Sequence, residues 1–178
     1  MTFDKLYSQL LLEMPQQIDT PLKMDTPAEF IRSSWKQIEN IQLDNVEYEM
    51  FQIGNGKDFD VALISGDTVA LEASYEIFGR GVKPSYVQQQ PHLKGLARLF
   101  YVEYYMNKFD FILSDTTMTK SGFLFWTRLF EQYKTQFIFS VYHKKKDKLI
   151  KIKNVQQMEE VFGRAKKFHY YQFVMQKY

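Results

Sequence analysis

Apolar side chains recur with a helical period in the first residues of the chain. Apolar residues spaced three and four positions apart lie on one face of a helix, and they comprise Phe3, Leu6, Tyr7, Leu10 and Leu11. This spacing predicts an amphipathic helix over residues 1–14, ended by Pro15. Residues 15–26 are rich in Pro, Asp and Thr and are predicted to form a connector.

A second helical pattern follows the connector. Thr26 is predicted to be the N-cap, with Pro27 in the first helical position and Glu29 closing a capping box. The predicted apolar stripe of this helix comprises Phe30, Ile31, Trp35, Ile38 and Ile41.

From residue 46 onward the apolar positions alternate with polar ones, which is typical of half-buried strands. Short Gly-containing segments interrupt the alternation and indicate turns. The predicted strands are 46–53, 59–64, 68–78 and 85–90. These segments predict an antiparallel meander.

The second half of the chain contains both the helical spacing and the strand alternation of apolar residues. The predicted elements are a helix at 93–106, a strand at 109–114, a helix at 118–133, strands at 135–143 and 148–153, a helix at 155–162 and a strand at 168–175. A buried strand between two helices is typical of a β-α-β unit. We therefore expect one α/β domain over 27–178, with a mixed sheet of about six or seven strands in which an antiparallel meander leads into a parallel pair formed by 85–90 and 109–114.

Composition limits the classes of protein that the chain can belong to. Its 178 residues are 45% hydrophobic and 25% charged, which is typical of a folded globular domain. The chain contains no cysteine, which excludes disulfides and thiolate metal sites, and its three histidines have no metal-like spacing. No apolar run of 18 residues and no secretory signal occur, so we expect a cytoplasmic protein without a membrane span.

Charge is distributed unevenly along the chain. Residues 1–133 carry 12 basic and 18 acidic side chains, whereas residues 134–178 carry 11 basic and 3 acidic ones. The basic segments 143–148 and 164–171 also contain His or Tyr, a combination that can bind single-stranded nucleic acid. Lysines at strand ends more often form solvated sheet edges, so no nucleic-acid partner is expected.

Gly95 lies where a predicted strand ends and a predicted helix begins. The first amides of a helix have no partner within the helix and lie at the positive end of its dipole. A glycine at this point lets a phosphate group approach the backbone, Ala97 leaves that approach open, and Lys94 adds positive charge. The alternative is a strand-to-helix turn that binds no ligand.

Residues 92–97, His-Leu-Lys-Gly-Leu-Ala, resemble the pyrophosphate loop of the GNAT superfamily of N-acetyltransferases, whose pattern is Gln/Arg-x-x-Gly-x-Gly/Ala. The predicted order of elements over 45–143 is also similar to that family's, and residues 112–130 look like versions of the fold associated with bacteriophages. The resemblance implies an acetyl-CoA-dependent N-acetyltransferase, in the host cytoplasm if phage-encoded, that acts on an amine of unknown identity. The residues that it implies for cofactor binding are His92, Lys94, Gly95, Leu96 and Ala97.

Two positions depart from the family's pattern. His92 replaces the first Gln or Arg, and Phe130 occupies the position where the family often has a proton-donating Tyr. Tyr133, one helical turn later, is a substitute candidate. The departures leave a second function open, namely a catalytically inactive GNAT-like phage protein that binds a protein partner or belongs to a virion or its assembly.

Two carboxylates on the third predicted strand are candidates for a general base. Glu72 and Glu76 lie on the same face of a strand, because side chains alternate with a period of two. A carboxylate near a cleft can accept a proton from an attacking amine if burial raises its pKa. Solvated strand carboxylates without a catalytic role are the alternative. Glu72 and Tyr133 are thus the catalytic candidates.

The N-terminal helix has two interpretations. Some phage proteins carry short helices that target them into the prohead and are cleaved after Leu-x-Glu, a pattern that residues 11–13 fit. The alternative is an ordinary helix that docks on the domain or on a partner.

Overall fold

The structure is a computed structural model that describes residues 26–163 and 170–178. The predicted helix over 1–14, all but the last residue of the predicted connector, and the basic residues 164–169 lie outside the described residues. The described residues form two compact units: the first contains 26–113 and residue 177, and the second contains 114–163, 170–176 and residue 178. The predicted single domain over 27–178 stays a prediction.

The first unit is a sheet with helices. Its elements are α1 (Ala28–Ser34), β1 (Lys36–Leu43), β2 (Val46–Asn55), β3 (Asp58–Ser65), β4 (Thr68–Phe78), β5 (Gly81–Gln89), α2 and β6 (Phe111–Leu113). Helix α2 is continuous and consists of an α-helical turn (Leu96–Leu99), a π-helical segment (Phe100–Tyr105) and a last turn (Met106–Lys108). Strands β1 to β5 pair consecutively and antiparallel, and β6 pairs parallel to β5.

The second unit has the same mixture of elements. They are α3 (Lys120–Tyr133), β7 (Ile138–His143), a 3-10 turn (Lys144–Lys146), β8 (Lys148–Lys151), α4 (Val155–Phe162) and β9 (Tyr171–Gln176). Strand β7 pairs antiparallel with both β8 and β9. Among the described residues, no helix is both long enough and apolar enough to cross a membrane.

The predicted α/β class is confirmed, and β5 pairs in parallel with β6, although through residues 81–82 rather than the predicted 85–90. The described residues contain nine strands, more than the six or seven predicted, and most of their pairings are antiparallel. Strand β4 and helix α4 have the predicted bounds. The parallel pairing of β5 with β6 joins Gly81 to Phe111 and Val82 to Ile112, earlier in β5 than predicted. Beyond Val82 these two described strands form no further pair with each other.

The predicted helix over 27–41 is wrong in its second half. Helix α1 ends at Ser34, and residues 36–43 form strand β1 instead. The Thr26 capping box is also wrong, because Pro27 is the N-cap and no side chain caps the helix. Asp44 and Asn45 both have positive φ, 50° and 62°. Two consecutive residues with positive φ are typical of the tight turn that joins antiparallel strands. The residues before this turn therefore form a strand of a hairpin.

The two faces of the first sheet are covered by different helices. Helix α1 covers one face, in a buried cluster of Ala28, Ile31, Phe51, Ala62, Ile64 and Val69. On the opposite face, Tyr105 of α2 packs edge-on against Tyr75 of β4, with ring centroids 5.4 Å apart. Residues opposite Ala62, including Glu72, therefore lie on the α1 face.

Gly81 is required by the close approach of Phe111. A Cβ atom on Gly81 would lie 2.1 Å from the Phe111 ring, which is far inside van der Waals contact. We expect Gly81→Ala to destabilise the fold by about 1–3 kcal/mol through overpacking. Urea unfolding measures the change, and Phe111→Leu in the same chain is expected to restore part of the loss. An unchanged urea midpoint for Gly81→Ala would contradict this packing.

Candidate functional site

The loop between β5 and α2 is held by backbone hydrogen bonds. The Gln90 amide donates to Ala70 O at 3.0 Å, and the Leu93 amide donates to Gln90 O at 3.0 Å. Gly95 is the N-cap of α2, with φ 93° and ψ −6°. Residues other than glycine rarely adopt this left-handed backbone conformation. This conformation requires a glycine whether or not the loop binds a ligand, so the predicted reason for the glycine, close approach of a phosphate group, stays a prediction.

The side chain of Gln89 occupies the start of α2. The Ala97 amide donates to Gln89 Oε1 at 2.8 Å, and Gln89 Nε2 donates to Leu93 O at 2.6 Å. Ala97 is one of the residues predicted to bind pyrophosphate through its backbone. The loop thus already holds one acceptor oxygen on a helix-start amide, which is the kind of atom that an anion presents at such a position.

Arg98 adds a positive charge to the loop. A Cβ atom on Gly95 would lie 2.9 Å from Arg98 Nη2, so the guanidinium approaches the glycine backbone closely. Arg98 Nε is buried and has no hydrogen-bond partner among the described residues. A buried guanidinium nitrogen without an acceptor leaves a donor that an anionic group can satisfy.

The predicted cofactor-binding residues differ in accessibility. His92 and Lys94 are exposed, whereas the side chains of Leu96 and Ala97 are buried. Leu96 and Ala97 can therefore contact a ligand only through their backbone. Their amides already donate within the chain, to Leu93 O and to Gln89 Oε1, and the positive charge of the loop comes from Lys94 and Arg98.

Glu72 is a partly buried carboxylate on β4. It pairs with Ala62 of β3 and Gln88 of β5, and its Oε1 atom is buried without a hydrogen-bond partner among the described residues. Burial raises the pKa of Glu72, the Thr26 hydroxyl opposes this by lowering it, and the Asp60 charge raises it further. A carboxylate with a raised pKa is suited to accept a proton near neutral pH.

Glu76 has the opposite environment. It forms an ion pair with Lys83 Nζ at 2.5 Å, and this hydrogen bond lowers the pKa of Glu76. A paired carboxylate with a lowered pKa is a weaker base. The two candidates that the strand period could not separate are thus distinguished by their cross-strand neighbours.

An open groove of about 340 Å³ lies on this part of the first unit. Its lining residues are Asp58, Phe59, Asp60, Ser74, Tyr75, Glu76, Lys83 and Ser85. Ser85 is the extra residue of a β-bulge, because Ser74 pairs with Tyr86 and Tyr75 pairs with Pro84. Bulges often lie beside active sites, where they redirect side chains. Ser74 is two residues from Glu72 on the same face of β4.

Tyr133 and Phe130 lie in the second unit, near the end of α3. Phe130 is buried and packs edge-on against Phe139, with ring centroids 5.4 Å apart. Phe123 and Trp126 of the same helix are also buried. The role of Tyr133 as a proton donor stays a prediction.

Sequence reasoning missed Gln89 and Arg98. The run of three glutamines at 88–90 could have indicated this role of Gln89, because it ends a strand directly before Pro91. A side-chain amide at that place can turn back and form a hydrogen bond with the start of the next helix. The signal for Arg98 was a basic residue one turn into a helix that starts with glycine. Both side chains depend on the loop geometry, which spacing alone does not define.

Comparisons with known proteins add no relative. No family model, curated protein or solved structure matches the chain. Within residues 26–163 and 170–178, no cluster of three or more His, Asp or Glu side chains is arranged to hold a metal ion. The candidate site therefore consists of the β5–α2 loop and the Glu72 region of the first unit.

Proposed function

We propose that the protein is an acetyl-CoA-dependent N-acetyltransferase of the GNAT type, which acts on an amine. The observation that carries the proposal is the start of α2. A left-handed glycine lies close to a guanidinium whose Nε is buried without a hydrogen-bond partner among the described residues, directly after β5. Ligands of α/β sheets commonly bind at the carboxyl ends of the strands, at the point where the order of the strands in the sheet reverses.

The loop residues are assigned to the diphosphate of the cofactor. The backbone amides near Gly95 and Ala97 donate to phosphate oxygens, and Gln89 gives up the Ala97 amide on binding. Lys94 and Arg98 provide positive charge, with Arg98 offering a planar set of donors that suits phosphate. Acetyl-CoA supplies an acetyl group activated as a thioester.

Glu72 is assigned as the general base. An amine enters the site mainly as an ammonium ion and must lose a proton before it can attack a carbonyl carbon. Glu72 Oε1 is buried and unpartnered within the described residues, so the carboxylate has a free acceptor for that proton. The partial burial that raises its pKa makes it a better base than Glu76.

A second function is supported by Phe130 and Gln89. Phe130 cannot donate a proton to a departing thiolate, and the Ala97 amide already has a partner within the chain. Both observations favour a protein of the same fold that binds a partner, as in a phage assembly, without catalysing acetyl transfer. The two functions differ in whether acetyl-CoA binds.

We expect acetyl-CoA to raise the melting temperature of the protein. A ligand present at one hundred times its dissociation constant stabilises the native state by about 2.7 kcal/mol. Gly95→Glu is expected to remove the shift, because it places a side chain and a negative charge beside the helix-start amides. Differential scanning fluorimetry in a phosphate-free buffer, with and without acetyl-CoA, measures the effect.

Gly79→Glu is the matched control for backbone strain. Gly79 also has a positive φ, 61°, but an added Cβ would meet no atom within 4 Å. This variant is expected to lose stability by a similar amount and to keep the acetyl-CoA shift. Equal ligand responses from the two glycine variants, or no shift for the unmodified protein, would reject acetyl-CoA binding at the loop and favour the non-catalytic function.

A further inference from the structure

Strand β8 of the second unit presents an exposed edge. Among the described residues it pairs only with β7, so one side of its backbone has no neighbouring strand. All four of its residues are exposed, including Leu149 at 51% and Ile150 at 49%. Edge strands with free backbone groups can accept another extended chain as an added strand.

A pocket lies at the C-terminal end of this strand. It has a volume of about 280 Å³ and is lined by Phe130, Lys134, Phe137, Phe139, Lys151, Ile152 and Lys153. The Ile152 amide donates to Phe139 O at 2.8 Å, which fixes the chain after β8 against β7. The pocket therefore continues from the exposed edge and has an apolar floor with a basic rim.

The rim carries uncompensated positive charge. Residues 134–153 contain seven lysines and a single carboxylate, Asp147. Asp147 accepts a hydrogen bond from the Tyr142 hydroxyl at 2.7 Å. Within the described part of the chain, no carboxylate forms an ion pair with Lys134, Lys151 or Lys153. This charge is complementary to an acidic partner.

We propose that the β8 edge and this pocket form a docking site for an acidic peptide segment in an extended conformation. The segment adds as a strand beside β8, one apolar side chain enters the pocket, and alternate carboxylates contact Lys151 and Lys153. The backbone bonds supply affinity, and the pocket and lysines supply selectivity. This site is independent of the proposed acetyl transfer, since it uses none of the residues assigned to that reaction.

The aromatic residues of the pocket favour a peptide over a nucleic acid. Of the three phenylalanines that line the pocket, Phe137 is half-buried, whereas Phe130 and Phe139 are only 3% and 2% exposed and their ring faces are not available to stack on a base. Binding of single strands without sequence preference relies on exposed rings of this kind. An apolar side chain of a peptide needs only the floor of the pocket.

Fluorescence anisotropy with the labelled peptide Glu-Val-Glu-Phe-Glu-Val-Glu tests the proposal. Binding is expected for the full chain, and the peptide in which Lys replaces each Glu is expected not to bind. A third peptide, N-methylated at alternate residues, keeps the charge but cannot form the strand ladder, and it is expected to bind at least about tenfold more weakly.

Two double variants separate the pocket from the general basic charge. Lys151→Glu with Lys153→Glu is expected to weaken binding about tenfold or more, whereas Lys144→Glu with Lys146→Glu, the same charge change in the neighbouring 3-10 turn, is expected to weaken it less than about threefold. All four lysines are exposed, so both variants should fold, and circular dichroism confirms this. Equal weakening by both pairs, equal binding of the N-methylated peptide, or tighter binding of a labelled oligo-dT strand that depends on Lys151 and Lys153 would overturn the proposal.

Discussion

Glu72→Gln is expected to lower the rate of acetyl transfer by about 10²–10⁴-fold, the usual contribution of a general base. Glutamine has nearly the same shape as glutamate but cannot accept a proton at neutral pH. The loop that is assigned to the cofactor is unchanged, so the acetyl-CoA shift in melting temperature is expected to persist. Turnover with a panel of primary amines and free thiol detection measures the loss. A variant that keeps full turnover would remove Glu72 from the mechanism.

The same substitution is expected to change stability with a defined pH dependence. Burial raises the pKa of Glu72 in the folded chain above its ordinary value of 4.5, so the folded state binds more protons than the unfolded state between those two values. Stability therefore falls as the pH rises through this window. Glu72→Gln removes that loss, so the variant should be more stable than the unmodified protein at neutral pH and lose this advantage below about pH 4.

Glu76→Gln is the matched control with the opposite sign. The Lys83 ion pair lowers the pKa of Glu76, so this carboxylate contributes stability that is present above its unfolded pKa and is lost as the pH falls through the lower folded value. The Glu76 variant is expected to be equally or less stable than the unmodified protein at neutral pH, and to keep its acetyl transfer. Urea unfolding at several pH values measures both. Stability changes of the same sign for the two variants would contradict the assigned environments.

The sequence predicted the fold best where glycines mark the turns between strands. Gly56, Gly66 and Gly79 each have positive φ and each separate two strands of the meander. Strand β1 was missed because Ile38 and Ile41 are three residues apart, a spacing that fits a helix as well as a strand. The deciding residues were Asp44 and Asn45, whose left-handed turn forces the preceding segment into a hairpin. Local apolar spacing alone does not contain that information.

The candidate site was predictable only in its backbone part. Gly95 and Ala97 follow from the physics of helix starts, because that environment depends on neighbours in sequence. Glu72 and Glu76 could not be distinguished, because their difference arises from Lys83, which lies across the sheet on β5. The hydrogen bond between the Ala97 amide and the Gln89 side chain likewise depends on the conformation of the β5–α2 loop, which brings the two residues together.

Tyr105→Ala is expected to destabilise the first unit by about 3–5 kcal/mol, the usual cost of removing a large buried aromatic side chain. Tyr105 is fully buried at 0% exposure and packs against the rings of Tyr75 and Phe100, with the Phe100 centroid 4.6 Å away. The substitution leaves a cavity at the centre of the face that α2 covers. Urea unfolding measures the loss, and a change below about 1 kcal/mol would show that α2 does not depend on this ring.

Tyr105→Phe separates the ring from its hydroxyl. The Tyr105 hydroxyl is buried without a hydrogen-bond partner among the described residues, and burial raises its pKa well above the usual range. Since a buried unsatisfied hydroxyl destabilises a fold, its removal is expected to be neutral or to stabilise by about 1 kcal/mol. Tyr104→Phe is the control, because the Tyr104 hydroxyl donates to Glu39 Oε1 at 3.1 Å. Its loss is expected to cost about 1 kcal/mol. If both Phe variants lost stability equally, the Tyr105 hydroxyl would have to be hydrogen-bonded in the folded protein.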